Sequence, residues 1–323
     1  MLVVRSEIHD PYLNIAAEEV LLSRAESIGP VLFLWQSQNA VIIGKNQNPW
    51  TECRLVHMKN DGVDLVRRFS GGGTVYHDKG NLNFTFLISR MKYDETRQFR
   101  AVIQGLKQLG LRARISGKNS ISVSGRKVSG NAFCFRAGTA MHHGTLLVSA
   151  DLAKMGRYLR IEESAVRTRA IVSVPAEVAN LSELEPGVGL EDATDAIVSA
   201  FLEEYGEKAE EAPDDFFCGR EVTDLRRKYM SWEWKFGLTP VFDLDTEKTF
   251  PWGTVHVRLR ANHGMITSAQ VRAIEPSTGA EILASELQDV RYAEDEIRDR
   301  FARAFSVVDP KASSAVAEWL MEP

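Results

Sequence analysis

A chain of 323 residues with 44% hydrophobic and 26% charged side chains has the balance of a globular protein and the length for one large or two ordinary domains. Its formal charge of −5 argues against nucleic acid or a membrane surface as the main partner. The three cysteines, Cys53, Cys134 and Cys218, lie far apart without a Cys-x-x-Cys pair, which speaks against a disulfide framework and against a zinc site.

The opening Met1-Leu2-Val3-Val4-Arg5 is too short and too soon charged for a signal sequence, and no run reaches the roughly 18 apolar residues of a membrane span, so a cytoplasmic protein is expected. Asp10-Pro11 predicts a helix start, with Asp10 as cap and Pro11 in the first turn; Leu13, Ala16, Ala17, Val20 and Leu21 then recur at helical spacing. Val31 to Trp35 and Ala40 to Gly44 read as two neighbouring strands, apolar on both faces and joined by a polar turn. Pro49 predicts a short helix ending at Gly62.

The stretch Arg67-Arg68-Phe69-Ser70-Gly71-Gly72-Gly73-Thr74-Val75-Tyr76-His77 follows, running on to Asn81. Three consecutive glycines let a ligand approach backbone N–H groups, and Arg68 offers a planar fork of donors for phosphate or carboxylate oxygens. A glycine hairpin with a surface arginine pair would have the same composition. Neither common nucleotide-loop pattern is present.

Leu82, Phe84, Phe86 and Ile88 alternate as in a strand with one buried face, and Gln98 to Leu109 predicts an amphipathic helix stopped by Gly110. Short strands and a Ser124-Gly125 turn then deliver Arg126-Lys127-Val128-Ser129-Gly130. Lys127 beside small residues could aim its ammonium at a ligand, or be a solvated strand lysine. His142 and His143, adjacent on a strand, should face opposite sides and lack a third ligand at a recognisable spacing, so no protein metal ligand is assigned. Strand alternation likewise places Lys127 and Cys134 on opposite faces unless a bulge intervenes. Ala165 to Pro175 reads either as a lid over a polar site or as an ordinary surface loop, and Asp192 to Tyr205 as a helix. The pattern changes near Trp232 to Pro240. Beyond it, alternating Val255, Val257 and Leu259, and helices at Glu294 to Phe305 and Lys311 to Leu320, form a small α+β domain. The expected division is therefore 1–240 and 241–323.

Taken together, Arg67-Arg68-x-Ser70-Gly71-Gly72-Gly73-x-Val75-x-His77-Asp78-x-Gly80-Asn81, Arg126-Lys127-Val128-Ser129-Gly130 and His142-His143-Gly144-Thr145-Leu146-Leu147 closely resemble the lipoate-protein ligase A family. Phe33-Leu34-Trp35, Gln47-Asn48-Pro49-Trp50 and Trp232-Glu233-Trp234 add to the match, which spans nearly the whole chain. The resemblance implies an α+β fold: a mixed-sheet catalytic domain of the type found in class II aminoacyl-tRNA synthetases and biotin protein ligases, with a small C-terminal domain. It implies activation of lipoate (or octanoate) by ATP with Mg²⁺ to an acyl-AMP. The acyl group then passes to a lysine of an acceptor, either a lipoyl domain of a 2-oxoacid dehydrogenase E2 subunit or the glycine cleavage H protein.

By the same resemblance, Arg68, Gly73, Thr74, Val75, Tyr76 and Lys127 bind ATP, and Lys127 also contacts the acyl carbonyl as the catalytic residue. Because lipoate is a thin, mostly apolar chain, Trp35 reads either as lining its tunnel or as an ordinary core residue, and Ser70, Gly71, Gly72, His77, Asn81 and His143 form the supporting site wall. The chain departs from the family at Ser120, where many ligases carry an acidic residue. The segment from Ala165 to Leu181 resembles the lipoyltransferase branch. An acyltransferase using a preformed adenylate or acylated carrier is therefore the second reading, and a catalytically idle acyl- or nucleotide-binding sensor the third.

Overall fold

The computed structural model describes residues 1–160, 164–206, 208–212, 216–273, 283–304 and 310–322. Contacts divide the chain into two compact units. One comprises Met1–Lys45, Asp64–Met155 and Val174–Ser231; the other comprises Asn46–Val63, Gly156–Ser173 and Trp232–Pro323.

The first unit contains strands β1 (Leu2–Arg5), β2 (Val31–Trp35), β3 (Ala40–Ile43), β4 (Asp64–Arg67), β5 (Val75–His77), β6 (Asn81–Ser89), β7 (Ala113–Ser116), β8 (Ser120–Val123), β9 (Arg126–Phe135) and β10 (Thr139–Leu147). Eight strands form one sheet in the order Glu210–Glu211, β1, β2, β6, β10, β9, β8, β7. The sheet is mixed, because β1 runs parallel to both its neighbours while the pairs from β2 to β7 are antiparallel. One face is apolar and packs Phe84, Phe86 and Leu146 against Phe99, Val102 and Leu106 of the helix Glu95–Gln108 and Ile197 and Phe201 of the helix Leu190–Tyr205. On the other face lies the helix Pro11–Ile28, started as expected by Asp10, whose carboxylate accepts from the Tyr12 and Leu13 amides at 2.9 and 3.1 Å.

β2 and β3 are not sheet neighbours, contrary to the sequence reading. β2 pairs with β1 and β6, whereas β3 is the centre of a separate three-stranded sheet in the order β4, β3, β5. Two apolar strands joined by a short polar turn satisfy the hairpin pattern, but the pattern does not say which edges pair. Asn39, at φ +23°, redirects the chain there.

The second unit is built on a four-stranded antiparallel sheet, Val166–Thr168, Phe242–Phe250, Gly253–Asn262 and Met265–Ala273. Phe242, Leu244, Val255, Val257 and Leu259 face a core shared with Ile297 and Phe301 of the helix Glu294–Ala304 and with Val316 and Leu320 of the helix Pro310–Met321; Phe305 lies outside the described residues. Trp50 is at the centre, its ring 5.3 Å from Phe236, 5.3 Å from Phe242 and 5.0 Å from Tyr292. Its short helix, Pro49–Glu52, begins where the Asn48 side chain accepts from the Trp50 amide at 3.0 Å. Val166–Thr168 thus gives part of the 165–175 segment a strand's role, pairing with Phe242–Leu244.

Candidate active site

The glycine-rich stretch leaves β4 and re-enters the sheet at β5, with β3 between them. Main-chain pairing continues into the turn, since the Arg68 amide donates to Ile43 O at 3.0 Å and the Lys45 amide to Ser70 O at 2.8 Å. Arg68 folds back over its own loop. Its Nε donates to Ser70 Oγ at 3.0 Å and Gly71 O at 3.1 Å, its Nη1 to Ile42 O at 3.1 Å, and its Nη2 to Gly71 O at 2.6 Å and Gly73 O at 2.8 Å. The guanidinium that the sequence suggests as a phosphate fork is here a staple that shapes the loop. Burial lowers its pKa to about 10, an effect opposed by Glu18.

With the arginine occupied, the donors left at the loop surface are backbone groups: the amides of Gly71, Gly72 and Gly73 donate to nothing among the described residues. Gly72 has φ +92°, and a Cβ on it would lie 2.8 Å from Arg68 Nη2 and 3.3 Å from the Ala132 side chain. Gly44 is equally constrained, because its Cβ would meet Gly72 O at 2.2 Å. Gly44→Ala should therefore displace the glycine loop. We expect it to cost about 1–3 kcal/mol in chemical denaturation, the range for overpacking, and to weaken nucleotide binding in calorimetry.

Lys127 comes onto the sheet face that carries this loop because β9 contains a bulge. Ser122 pairs with Lys127 and Ile121 with Ser129, leaving Val128 as the additional residue. Val128 joins the apolar core, and the lysine turns to the opposite face, where a Cβ on Gly130 would lie 3.3 Å from both its Cε and its Nζ. The main chain displaced by the bulge is held by a neighbouring segment: the Lys127 amide donates to Glu177 O at 2.8 Å and Lys127 O accepts from the Ala179 amide at 3.0 Å. The expected separation of Lys127 from Cys134 is thereby overturned. Gly130, Ala132 and Cys134 alternate on the lysine's face, with the Cys134 thiol pushed up in pKa chiefly by burial. Burial lowers the pKa of Lys127, so a bound anion would favour its charged form.

The two histidines part as alternation predicts. His142 lies against Phe99 and Phe133, with ring separations of 4.8 and 4.7 Å, and its Nε2 is 2.8 Å from Asn131 Oδ1; burial holds its pKa near about 3. His143 faces the glycine loop. Its Nε2 is 2.9 Å from Ser70 Oγ and its Nδ1 is 3.0 Å from Glu18 Oε1, an oxygen that also accepts from Thr85 Oγ1 at 2.6 Å.

Trp35 and His77 extend the wall, their rings 5.6 Å apart edge to face. Both are buried, and Trp35 Nε1, both His77 nitrogens and Asn81 Oδ1 have no hydrogen-bond partner among the described residues. Burial, then Arg68 and His143, lower the His77 pKa to about 3. Val75 and Tyr76 lie on β5, where the buried Tyr76 hydroxyl donates to Asn39 Oδ1 at 3.2 Å, while Thr74 stays partly exposed. Asn119, beside the unusual Ser120, is tied to Asn131 through backbone and side chain.

The sequence reading did not find Glu18. The available signal was a buried-stripe conflict: Asn14 and Glu18 sit four apart, in register with the apolar positions Leu21 and Ala25, and both are fully buried.

The chain belongs to the family described as the lipoyl protein ligase A/B catalytic domain, which matches residues 10–202. The bacterial lipoate protein ligase C-terminus matches residues 239–320. In sequence the chain is 35% identical over 330 aligned residues to Lipoate-protein ligase A of Psychrobacter cryohalolentis, covering 99% of this chain and 97% of that one. Among solved structures, P. falciparum LipL1 in complex with lipoate superposes with a TM-score of 0.66 at 27% identity, over 100% of this chain and 99% of that one. A lipoate-protein ligase A bound with ATP gives 0.61 at 26% identity, over 73% and 98%. The bipartite lipoate protein ligase of Thermoplasma acidophilum, described with its E2 lipoyl domain, gives 0.61 at 25% identity, over 73% and 96%.

Proposed function

We propose that the protein is an ATP-dependent lipoate-protein ligase acting in the cytoplasm. The observation that carries this reading is the β9 bulge, which turns Lys127 onto the same sheet face as His143 and the glycine loop. The carboxylate of lipoate attacks the α-phosphorus of ATP, pyrophosphate leaves, and the mixed anhydride then acylates a lysine amine of an acceptor domain, releasing AMP. Lys127 bridges the acyl carbonyl and the α-phosphate, stabilising charge on both. The backbone of Gly73, Thr74, Val75 and Tyr76 approaches the nucleotide, and Arg68 acts by holding that backbone in shape. Trp35 lines the acyl tunnel, and Ser70, Gly71, Gly72, His77, Asn81 and His143 form the supporting wall of the site.

Among the described residues no three His, Cys, Asp or Glu side chains are gathered as a metal site. Mg²⁺ would enter with the nucleotide and would offset charge on its phosphates. The acceptors proposed are lipoyl domains of 2-oxoacid dehydrogenase E2 subunits and the glycine cleavage H protein, a class supported by the relative described with its lipoyl domain. No helix among the described residues is long and apolar enough to cross a membrane.

The test mixes purified protein with ATP, Mg²⁺, lipoate and an acceptor domain, and follows acceptor mass and pyrophosphate. A mass increase dependent on ATP supports the ligase. Modification only when synthetic lipoyl-AMP or an acylated carrier is supplied would replace it with a transferase, and no modification in either mixture would leave a binding protein.

A further inference from the structure

We propose that Glu18 is a positioning residue for the glycine loop: it fixes the tautomer of His143, which directs the Ser70 hydroxyl and so holds Arg68 in its loop-facing pose. The direction is set from the Glu18 end, where an ionised carboxylate can only accept. Arg68 Nε–H can only donate, so Ser70 Oγ accepts at 3.0 Å. A neutral His143 that donates from Nδ1 to the Glu18 carboxylate has Nε2, at 2.9 Å, free to accept the single proton of the Ser70 hydroxyl. With Nε2 accepting, the ring proton resides on Nδ1 and is donated to Glu18 Oε1 at 3.0 Å. Thr85 donates to that oxygen too, while Glu18 Oε2 is buried with no partner among the described residues, so a protonated carboxyl would leave its O–H without an acceptor.

Donation therefore runs from Arg68 through Ser70 and His143 to Glu18, with a buried positive charge at one end and a buried negative charge at the other. Glu18 and Ser70 are 0% and 2% exposed and Arg68 6%, so water contributes little to neutralising either end. A carboxylate cannot donate to His143 Nδ1, and this locks the direction. In Glu18→Gln the shape is nearly unchanged but the amide can donate, which permits the reversed tautomer and removes the charge opposite Arg68.

The activity arm of the test rests on the ligase reading; the spectroscopic arm does not. Nitrogen-15 imidazole spectra of the full chain, with His143 assigned by its loss in His143→Asn, should show protonated Nδ1 and unprotonated Nε2. In Glu18→Gln the Nε2-protonated form should appear, and the KM for ATP in pyrophosphate release should rise about tenfold with a smaller change in kcat. Thr85→Val, which keeps the carboxylate, should leave the tautomer unchanged. Nε2 protonation in the wild-type protein would overturn the proposal, as would an unaltered tautomer and KM in Glu18→Gln. Should that variant not fold, the wild-type spectrum decides. Absence of pyrophosphate release from the wild-type protein would count against the ligase reading alone.

Discussion

Lys127→Ala is expected to lower the rate of acyl-adenylate formation by about 10²–10³-fold, the scale for losing one preorganised group at a developing charge. The melting temperature should change little. Lys127 is half-buried, and burial already disfavours its charged form, so truncation relieves a desolvation cost as it removes packing. Pyrophosphate release under saturating lipoate, alongside a thermal melt, separates the two effects, and near-normal release would remove Lys127 from its assigned role. The pH dependence has a definite sign. A lysine whose pKa is lowered in the free protein loses its proton below the ordinary value of about 10.4, so kcat/KM for ATP should decline on the alkaline side at a lower pH than for an unperturbed lysine. Lys127→Arg should abolish that decline, whatever its effect on the absolute rate.

Arg68→Met should be costly in a different way. The side chain donates to three backbone carbonyl groups and to Ser70, and its removal leaves those acceptors without their donor and the buried Glu18 carboxylate without its opposite charge. Breaking one side of a buried charge arrangement costs about 3–5 kcal/mol. For a unit of this size that is a fall of roughly 6–15 °C in melting temperature. Nucleotide binding should be lost together with loop order, which protease accessibility of the glycine stretch would report. A variant that melts normally but binds ATP poorly would instead favour direct contact between the guanidinium and phosphate.

Much of the scaffold was legible because local chemistry and tertiary structure agree. Asp10 and Pro11 start the first helix, and Pro49 starts the next, which stops at Glu52 before a separate helix, Leu55–Asn60. β6 carries Phe84 and Phe86 on its core face as alternation suggests, but its other face, with Asn83, Thr85 and Leu87, is buried too, against the expectation of one buried face. The site was legible in composition but not in geometry. Residue type identifies Arg68 as a donor, but only the fold shows that its donors are turned onto Ile42, Gly71 and Gly73. Glu18 was hidden because one buried carboxylate is a small departure from a helix's apolar stripe, and its partners, Thr85 and His143, are 67 and 125 residues away. The contact units were hidden for a similar reason. Asn46–Val63 and Gly156–Ser173 group with the C-terminal part through contacts distant in sequence, such as Trp50 with Phe242 and Tyr292.

The bulge at Val128 makes the site depend on a count of residues as well as on their identities. β9 is held to β10 from Asn131 to Phe135, and that register carries Ala132 and Cys134 on the glycine-loop side. Upstream, Lys127 is aligned with them only because the bulge absorbs one residue of the intervening chain, leaving an even count for alternation. Flattening the bulge without shortening the chain would preserve every named functional side chain and the β9–β10 ladder, yet turn the ammonium to the apolar face, whereas deleting Val128 would keep the lysine's facing by plain alternation. The facing of Lys127 is therefore set jointly by the number of residues up to Gly130 and by the bulge that absorbs one of them.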